Sequence, residues 1–266
     1  MILIITIMTL ISFIFAPLGC ISLWKKYTYF GDGLAHASLL AGTISIIIQL
    51  PIFYAGSIVA IVFAILVFVF QNKSDSNAII LLISSCMLAL ALVVGYMNPL
   101  QVNITNLLFG DILSASYNDM IALSIMLIII LLFIWHFYEQ IVLTLINRDI
   151  ARIRRVKVRA IELAFLALLS LSVFCTIKIV GSLLVTSILL APAMTARLIS
   201  SYPAQMIIIS ILISLAINLV SIVISFHYDI PITPIITIIN SIIYGLIYSG
   251  SYYKRILDNN SSPVRL

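Results

Sequence analysis

The chain is 266 residues long, 63% hydrophobic and 9% charged, with a formal net charge of +5 and a mean hydropathy of +1.26. Apolar runs near the roughly 20 residues that cross a bilayer recur from end to end, which excludes a soluble domain and makes this an integral membrane protein. No polar region is long enough to bury a core of its own, so one membrane domain is expected over residues 1–250, with a short cytoplasmic tail at 251–266.

The first apolar run, residues 2–23, carries Ala16-Pro17-Leu18-Gly19-Cys20, a small-residue-plus-cysteine pattern also found in cleaved or lipidated signals. A signal would open with positive charge, whereas the first lysine here is Lys25, beyond the run. We read it as a retained first span. Cys20, Cys86 and Cys175 fall in apolar segments without short spacings, and so read as small buried side chains rather than a disulfide or thiolate site.

Further along, the apolar pattern breaks at 24–31, 51, 71–76, 98–119, 147–159, 178, 192–204, 226–231 and after 250. The fold expected is an all-α polytopic bundle of eight or nine transmembrane helices. Two segments leave the count open. QVNITNLLFGDILSAS, 101–116, is too polar and short to span, and is expected at the outer surface as a short helix or partly re-entrant piece. The run from Lys178 to Ala191 gives only about 21 Å of helix at 1.5 Å per residue. It either starts below the outer surface or begins a bent segment that continues past Pro192. With the N-terminus outside and the C-terminus cytoplasmic, 13 of the 14 basic residues lie on the inner side and only Lys178 outside. Positive charge favours the inner side, and that orientation is therefore expected.

Several polar residues interrupt this apolar background. Asp32 and His36, in FGDGLAHASLLAG, are four apart and share a helical face near the cytoplasmic interface, where they suit a divalent cation. A plainer reading makes Asp32 the N-cap of the second span, flanked by Gly31 and Gly33, and His36 a satisfied structural histidine. On the opposite side His227 and Asp229, in SFHYDIPITP, combine imidazole and carboxylate. A turn explains Asp229 before Ile-Pro as well, and an exposed loop accounts for His227. His136 and Glu139, in WHFYEQ, read as an interface belt. In VGSLLVTSILLAPAMTARLISSYP, 180–203, small residues permit close packing, and Pro192 and Pro203 bracket a ten-residue piece expected to form a short cytoplasmic helix across the membrane normal. No glycine is followed by lysine, so the phosphate-binding loop of an ATPase is absent, as is H-E-x-x-H; an enzyme is not expected.

Taken together, APLGCISLWKKYTYFGDGLAHASLLAG, NLLFGDILSASYNDM, VGSLLVTSILLAPAMTARLISSYPAQM and Tyr228-Asp229-Ile230-Pro231 resemble the permease subunits of bacterial metal-ion ABC importers, in order and along nearly the whole chain. The resemblance implies a multi-pass protein of the bacterial inner membrane, working as a homodimer with two cytoplasmic ATPase subunits and a periplasmic or surface metal-binding protein. It implies no intrinsic cofactor and no nucleic-acid partner, with zinc as transported substrate and ATP bound by the partner subunit. Asp32 and His36 match the family's Gly-Asp-x-x-x-His signature, and Asp229 matches an acidic position of the outer loop. His227 has no clear counterpart there, so its place in the metal pathway rests on chemistry alone. Pro192, Ala193, Met194, Thr195, Ala196, Arg197, Leu198 and Ser200 fall in the segment that couples to the ATPase. The run Ala35 to Leu40 is closer to the zinc branch than to the manganese branch. Manganese or iron is the alternative cargo, and an ion-coupled secondary carrier the alternative class.

Overall fold

The computed structural model describes residues 1–71, 75–97, 110, 112, 115–146, 148–182 and 184–261. Its helices are α1 (Ile2–Trp24), α2 (Phe30–Ile48), α3 (Ile52–Phe70), α4 (Ser76–Met97), α5 (Tyr117–Ile146), α6 (Arg148–Ile153), α7 (Val158–Val180), α8 (Val185–Ile199), α9 (Pro203–Tyr228) and α10 (Ile232–Ser261). No strand occurs among the described residues. Eight of these helices, all but α6 and α8, are long and apolar enough to cross a membrane. Most of the polar piece at 101–116, including Asp111, and Lys73 lie outside the described residues.

The ninth candidate span does not form. Lys178 is inside α7, and the run after it belongs to α8, a helix of 15 residues that continues through Pro192 to Ile199. That corrects the expected short helix between the two prolines. Pro192 lacks only the N–H that would reach back one turn, a loss a packed membrane helix tolerates, whereas Pro203 opens α9 where its missing N–H costs nothing.

Four helices stop by one device. Lys26, Gln49, Arg155 and Asp229 adopt positive φ of 61°, 56°, 57° and 53°. In each case the next residue's N–H donates to the carbonyl five positions back, as in Tyr27 to Ser22 at 2.9 Å and Ile230 to Ser225 at 3.3 Å. This is the Schellman ending, usually supplied by glycine. After α2 and α9 a proline stands two residues later and prevents re-entry into the same helix.

Packing centres on α1, which touches α5, α8 and α9, while α2 lies against α3, α4 and α8 and α3 against α7. Ile7, Ile11, Ile14, Phe15 and Leu18 of α1 are fully buried, as a retained span requires. Polar atoms in this core are mostly paired. Ser12, Ser172, Thr176 and Thr195 return their hydroxyls to carbonyls four back, and Asn218 of α9 donates to Ser12 Oγ at 2.7 Å and the Met8 carbonyl at 3.3 Å. The outer faces are apolar, with Ile58, Ile61, Ile65 and Val69 of α3 exposed, a pattern suited to lipid. Cys20 is buried, but Cys86 faces outward on α4 and Cys175 is half-buried, which corrects the expectation that all three are enclosed; none is bonded to another.

The connection from α1 to α2 sets where the second span begins. Rather than looping over the surface it dips into the bundle. Lys25 pairs with Glu162 of α7 at 3.2 Å, the side chains being 7% and 4% exposed. Tyr27 donates to Gln71 at the end of α3 and stacks on Phe165 with centroids 6.3 Å apart. Phe30 then packs edge-on against Phe63 at 5.2 Å. Since Phe63 lies about two turns before the end of α3, α2 starts below that surface of the bundle.

Candidate functional site

The first turn of α2 is held from two sides by contacts that only glycines allow. A Cβ on Gly31 would meet Thr186 Oγ1 at 2.5 Å and its Cα at 3.2 Å; one on Gly33 would meet Ile80 and Phe63 side chains at 2.8 and 2.9 Å. The two glycines bring α2 against α8 on one side and against α3 and α4 on the other. Asp32, between them, is half-buried, and its carboxylate accepts from Thr186 Oγ1 at 2.5 Å.

That geometry replaces the cap reading. Tyr29 precedes the helix, Asp32 is its third residue, and no side-chain cap bond is made. The carboxylate retains the favourable field of the helix N-terminus, yet its hydrogen bond goes to a different helix. His36, one turn further on the same face, is exposed on the surface of the chain. It is not a histidine enclosed by the core.

At the far end of α9, Asp229 is the left-handed residue of the turn, with its N–H on the Ser225 carbonyl. The turn reading is therefore right for its backbone. Lys26, Gln49 and Arg155 perform the same backbone task, so the turn itself does not call for a carboxylate at this position. Asp229 lines a cavity of about 320 Å³ together with Gly110, Ile179 and Thr233. His227 is exposed and sets its ring edge-on to Tyr228 at 4.9 Å. His136 and Glu139 line a separate cavity of about 530 Å³ with Trp135 and Tyr138, an aromatic surround consistent with an interface belt.

No group of three or more His, Cys, Asp or Glu able to hold a metal occurs among the described residues. The chain brings together Asp32 and Thr186, with His36 one turn further along α2, and the described residues form no closed cage around them. A cation passing here would keep water or meet ligands from outside the chain.

The segment expected to couple to an ATPase divides by face. Pro192, Ala193, Thr195 and Ala196 are buried, Ala193 and Ala196 in a small cluster with Cys20 and Met206. Met194 and Arg197 are exposed, and Leu198 and Ser200 are half-buried. Met194, Arg197 and Ile199 form the exposed face of this end of α8, while the alanines hold it to α1 and α9.

Three side-chain contacts between helices are not foreshadowed by the sequence: Thr186 on Asp32, the Lys25–Glu162 pair, and the 2.8 Å ion pair between Lys178 and Asp119. A charge of each sign within apolar runs was the available signal for the two ion pairs. Nothing in the pattern tied position 186 to position 32.

A polytopic helical bundle with a carboxylate and an imidazole on one face of a helix that starts inside it is the architecture of a membrane transport protein. The chain belongs to the ABC 3 transport family, which matches residues 1–249. It is 34% identical over 87% of its length to the high-affinity zinc uptake system membrane protein ZnuB of Buchnera aphidicola subsp. Acyrthosiphon pisum, covering 90% of that protein. With the protein of that name from Haemophilus influenzae it shares 29% identity over 92% of the chain and 94% of the relative. Identity to the manganese transport system membrane protein MntC of Halalkalibacterium halodurans is 27%, over 93% and 86%. The fold is similar to that of a chain of PsaBC from Streptococcus pneumoniae solved in complex with Fab, with a TM-score of 0.79 and 22% identity, covering 92% of this chain and 89% of that one. Family membership sets aside the secondary carrier.

Proposed function

We propose that the chain is the membrane-spanning permease of an ATP-driven importer of divalent metal, with zinc as its cargo. The observation that carries this is the pairing of Asp32 and His36 on one face of a buried-start helix, in a chain about one-third identical to a zinc uptake protein. A carboxylate lowers the cost of stripping water from a dication, and an imidazole supplies the borderline-soft nitrogen that zinc favours. Asp229 and His227 stand at the opposite end of the same passage, on the side where a metal-binding protein delivers the ion. In this reading the Lys25 end is cytoplasmic, the C-terminal helix ends there, and Met194 and Arg197 face the ATPase subunits. A second copy of the chain covers the exposed face of His36.

Uptake of radiolabelled zinc into membranes with matched permease and ATPase amounts tests the reading. Asp32→Asn keeps an acceptor for Thr186 and removes the charge; a sharp fall in uptake is expected. His36→Gln keeps size and hydrogen bonding, and zinc uptake should fall further than any manganese uptake. Near-wild-type rates for both variants would leave the motif with a packing role only. Manganese outcompeting zinc at equal concentration would reassign the cargo.

A further inference from the structure

Between α5 and α7 a groove of about 470 Å³ opens at the end where the chain turns through residues 154–157. Its walls are mostly apolar: Phe133 and Phe137 of α5, with rings 5.2 Å apart, line it with Ile161 and Ala164 of α7, and Gln140 is the one polar uncharged side chain among them. Its mouth is cationic, formed by Arg154, Arg155 and Lys157, all exposed. Among the described residues no ion pair joins these three to a carboxylate. The nearest acidic residue in sequence on the α5 side, Glu139, lines the neighbouring cavity with His136.

Basic residues at the end of a span orient a membrane protein without any cavity beneath them. Here the charges sit over an apolar slot that runs from the membrane edge into the span. A free anion would match the mouth and leave the slot dry. Hydrocarbon would match the slot and ignore three cations. A molecule with a negative head and an apolar chain satisfies both, and basic pockets between transmembrane helices are a known setting for such headgroups.

We propose that this groove binds one anionic phospholipid, its phosphate held by Arg154, Arg155 and Lys157 and an acyl chain lying against Phe133, Phe137 and Ala164. Bound there, the lipid adds to the direct packing of α5 on α7 at the end where α6 and its turn join them. The site does not depend on the identity of the transported metal.

The test is lipid binding by the purified full-length chain in mild detergent, followed by native mass spectrometry and thermal shift. Phosphatidylglycerol should be retained and should stabilise the chain, phosphatidylcholine with the same acyl chains much less, and glycerol phosphate not at all. Arg154→Gln, Arg155→Gln and Lys157→Gln combined should weaken phosphatidylglycerol roughly fivefold per charge, about a hundredfold in all. Ala160→Phe, an exposed position on the groove, narrows it without altering charge and should also weaken retention. Lys26→Gln, which removes a charge beside a different cavity, should leave it unchanged. Wild-type retention by the triple variant overturns the proposal, as does protection by glycerol phosphate, which would mark a simple anion site. Loss of ATPase association with unchanged lipid binding in the triple variant would assign the rim to protein contact and overturn it as well.

Discussion

Removing one partner of the Lys25–Glu162 pair should be among the more damaging single changes in this bundle. The side chains meet at 3.2 Å and are almost fully enclosed, so solvent screening gives little relief. Lys25→Met takes the ammonium away from the Glu162 carboxylate, and Glu162→Gln takes the carboxylate charge away from Lys25. Breaking a buried pair from one side costs about 3–5 kcal/mol. At roughly 2–4 °C per kcal/mol for a chain of this size, each single variant should melt about 10 °C lower. Lys25→Met combined with Glu162→Leu removes both charges and should return to within about 1 kcal/mol of the parent, because a well-packed apolar replacement is often neutral. Thermal unfolding in mild detergent, read by tryptophan fluorescence, measures all three. Zinc uptake should fall in the single variants and recover in the double, since the pair fixes the turn from which the Asp32 helix begins. Singles that melt with the parent would refute this account, and so would a double variant that loses as much as the two singles added.

Two other outcomes depend on which side chains are enclosed and which are not. Ala196→Trp, placed in the cluster with Cys20 and Met206, should cost about 1–3 kcal/mol of stability by overpacking, whereas Arg197→Glu should leave the melting temperature unchanged and reduce ATPase association; co-purification alongside thermal melts checks both. Cysteines at Arg155 and at Tyr228, in a chain otherwise free of cysteine, should react with impermeant thiol reagents from opposite sides, Arg155→Cys from the cytoplasm, and labelling of both from one side would reverse or break the topology.

The spans were legible because apolar length is a local property: Ile52–Phe70 and Val158–Val180 need no knowledge of their neighbours. Pro192 leaves two readings open in the sequence, a short helix after it or a segment that continues past it, and the second is what α8 does. A proline ends most helices in water, where a broken hydrogen bond has competitors, but inside a packed bundle the helix simply continues around it. The site was half legible. The four-residue spacing of Asp32 and His36 places them on one face correctly, while the glycines flanking Asp32 give no sign in the sequence that they admit Thr186 on one side and Phe63 on the other. Close approach between helices depends on partners in other spans, such as Phe63, Ile80 and Thr186, and spacing along the chain carries no trace of it. The charged residues split likewise: Lys25 looked like an interfacial lysine and proved to be enclosed, because its partner sits on α7.

Helix α8 has a consequence for how motion would travel. Thr186, which holds Asp32, and Arg197, which stands exposed, belong to the same 15-residue helix, eleven positions and about 16 Å apart along its axis. Two points on a rigid rod cannot be displaced independently. A tilt imposed at the Arg197 end swings the Thr186 hydroxyl through an arc whose size depends on where the rod is pinned. The rod is held along its length, by Thr186 against Gly31, by the Leu189 backbone against Gly19, and by Ala193 and Ala196 with Cys20 and Met206, so α1 and α2 feel the same tilt. A displacement at the surface therefore reaches the Asp32 carboxylate through one helix and one hydrogen bond.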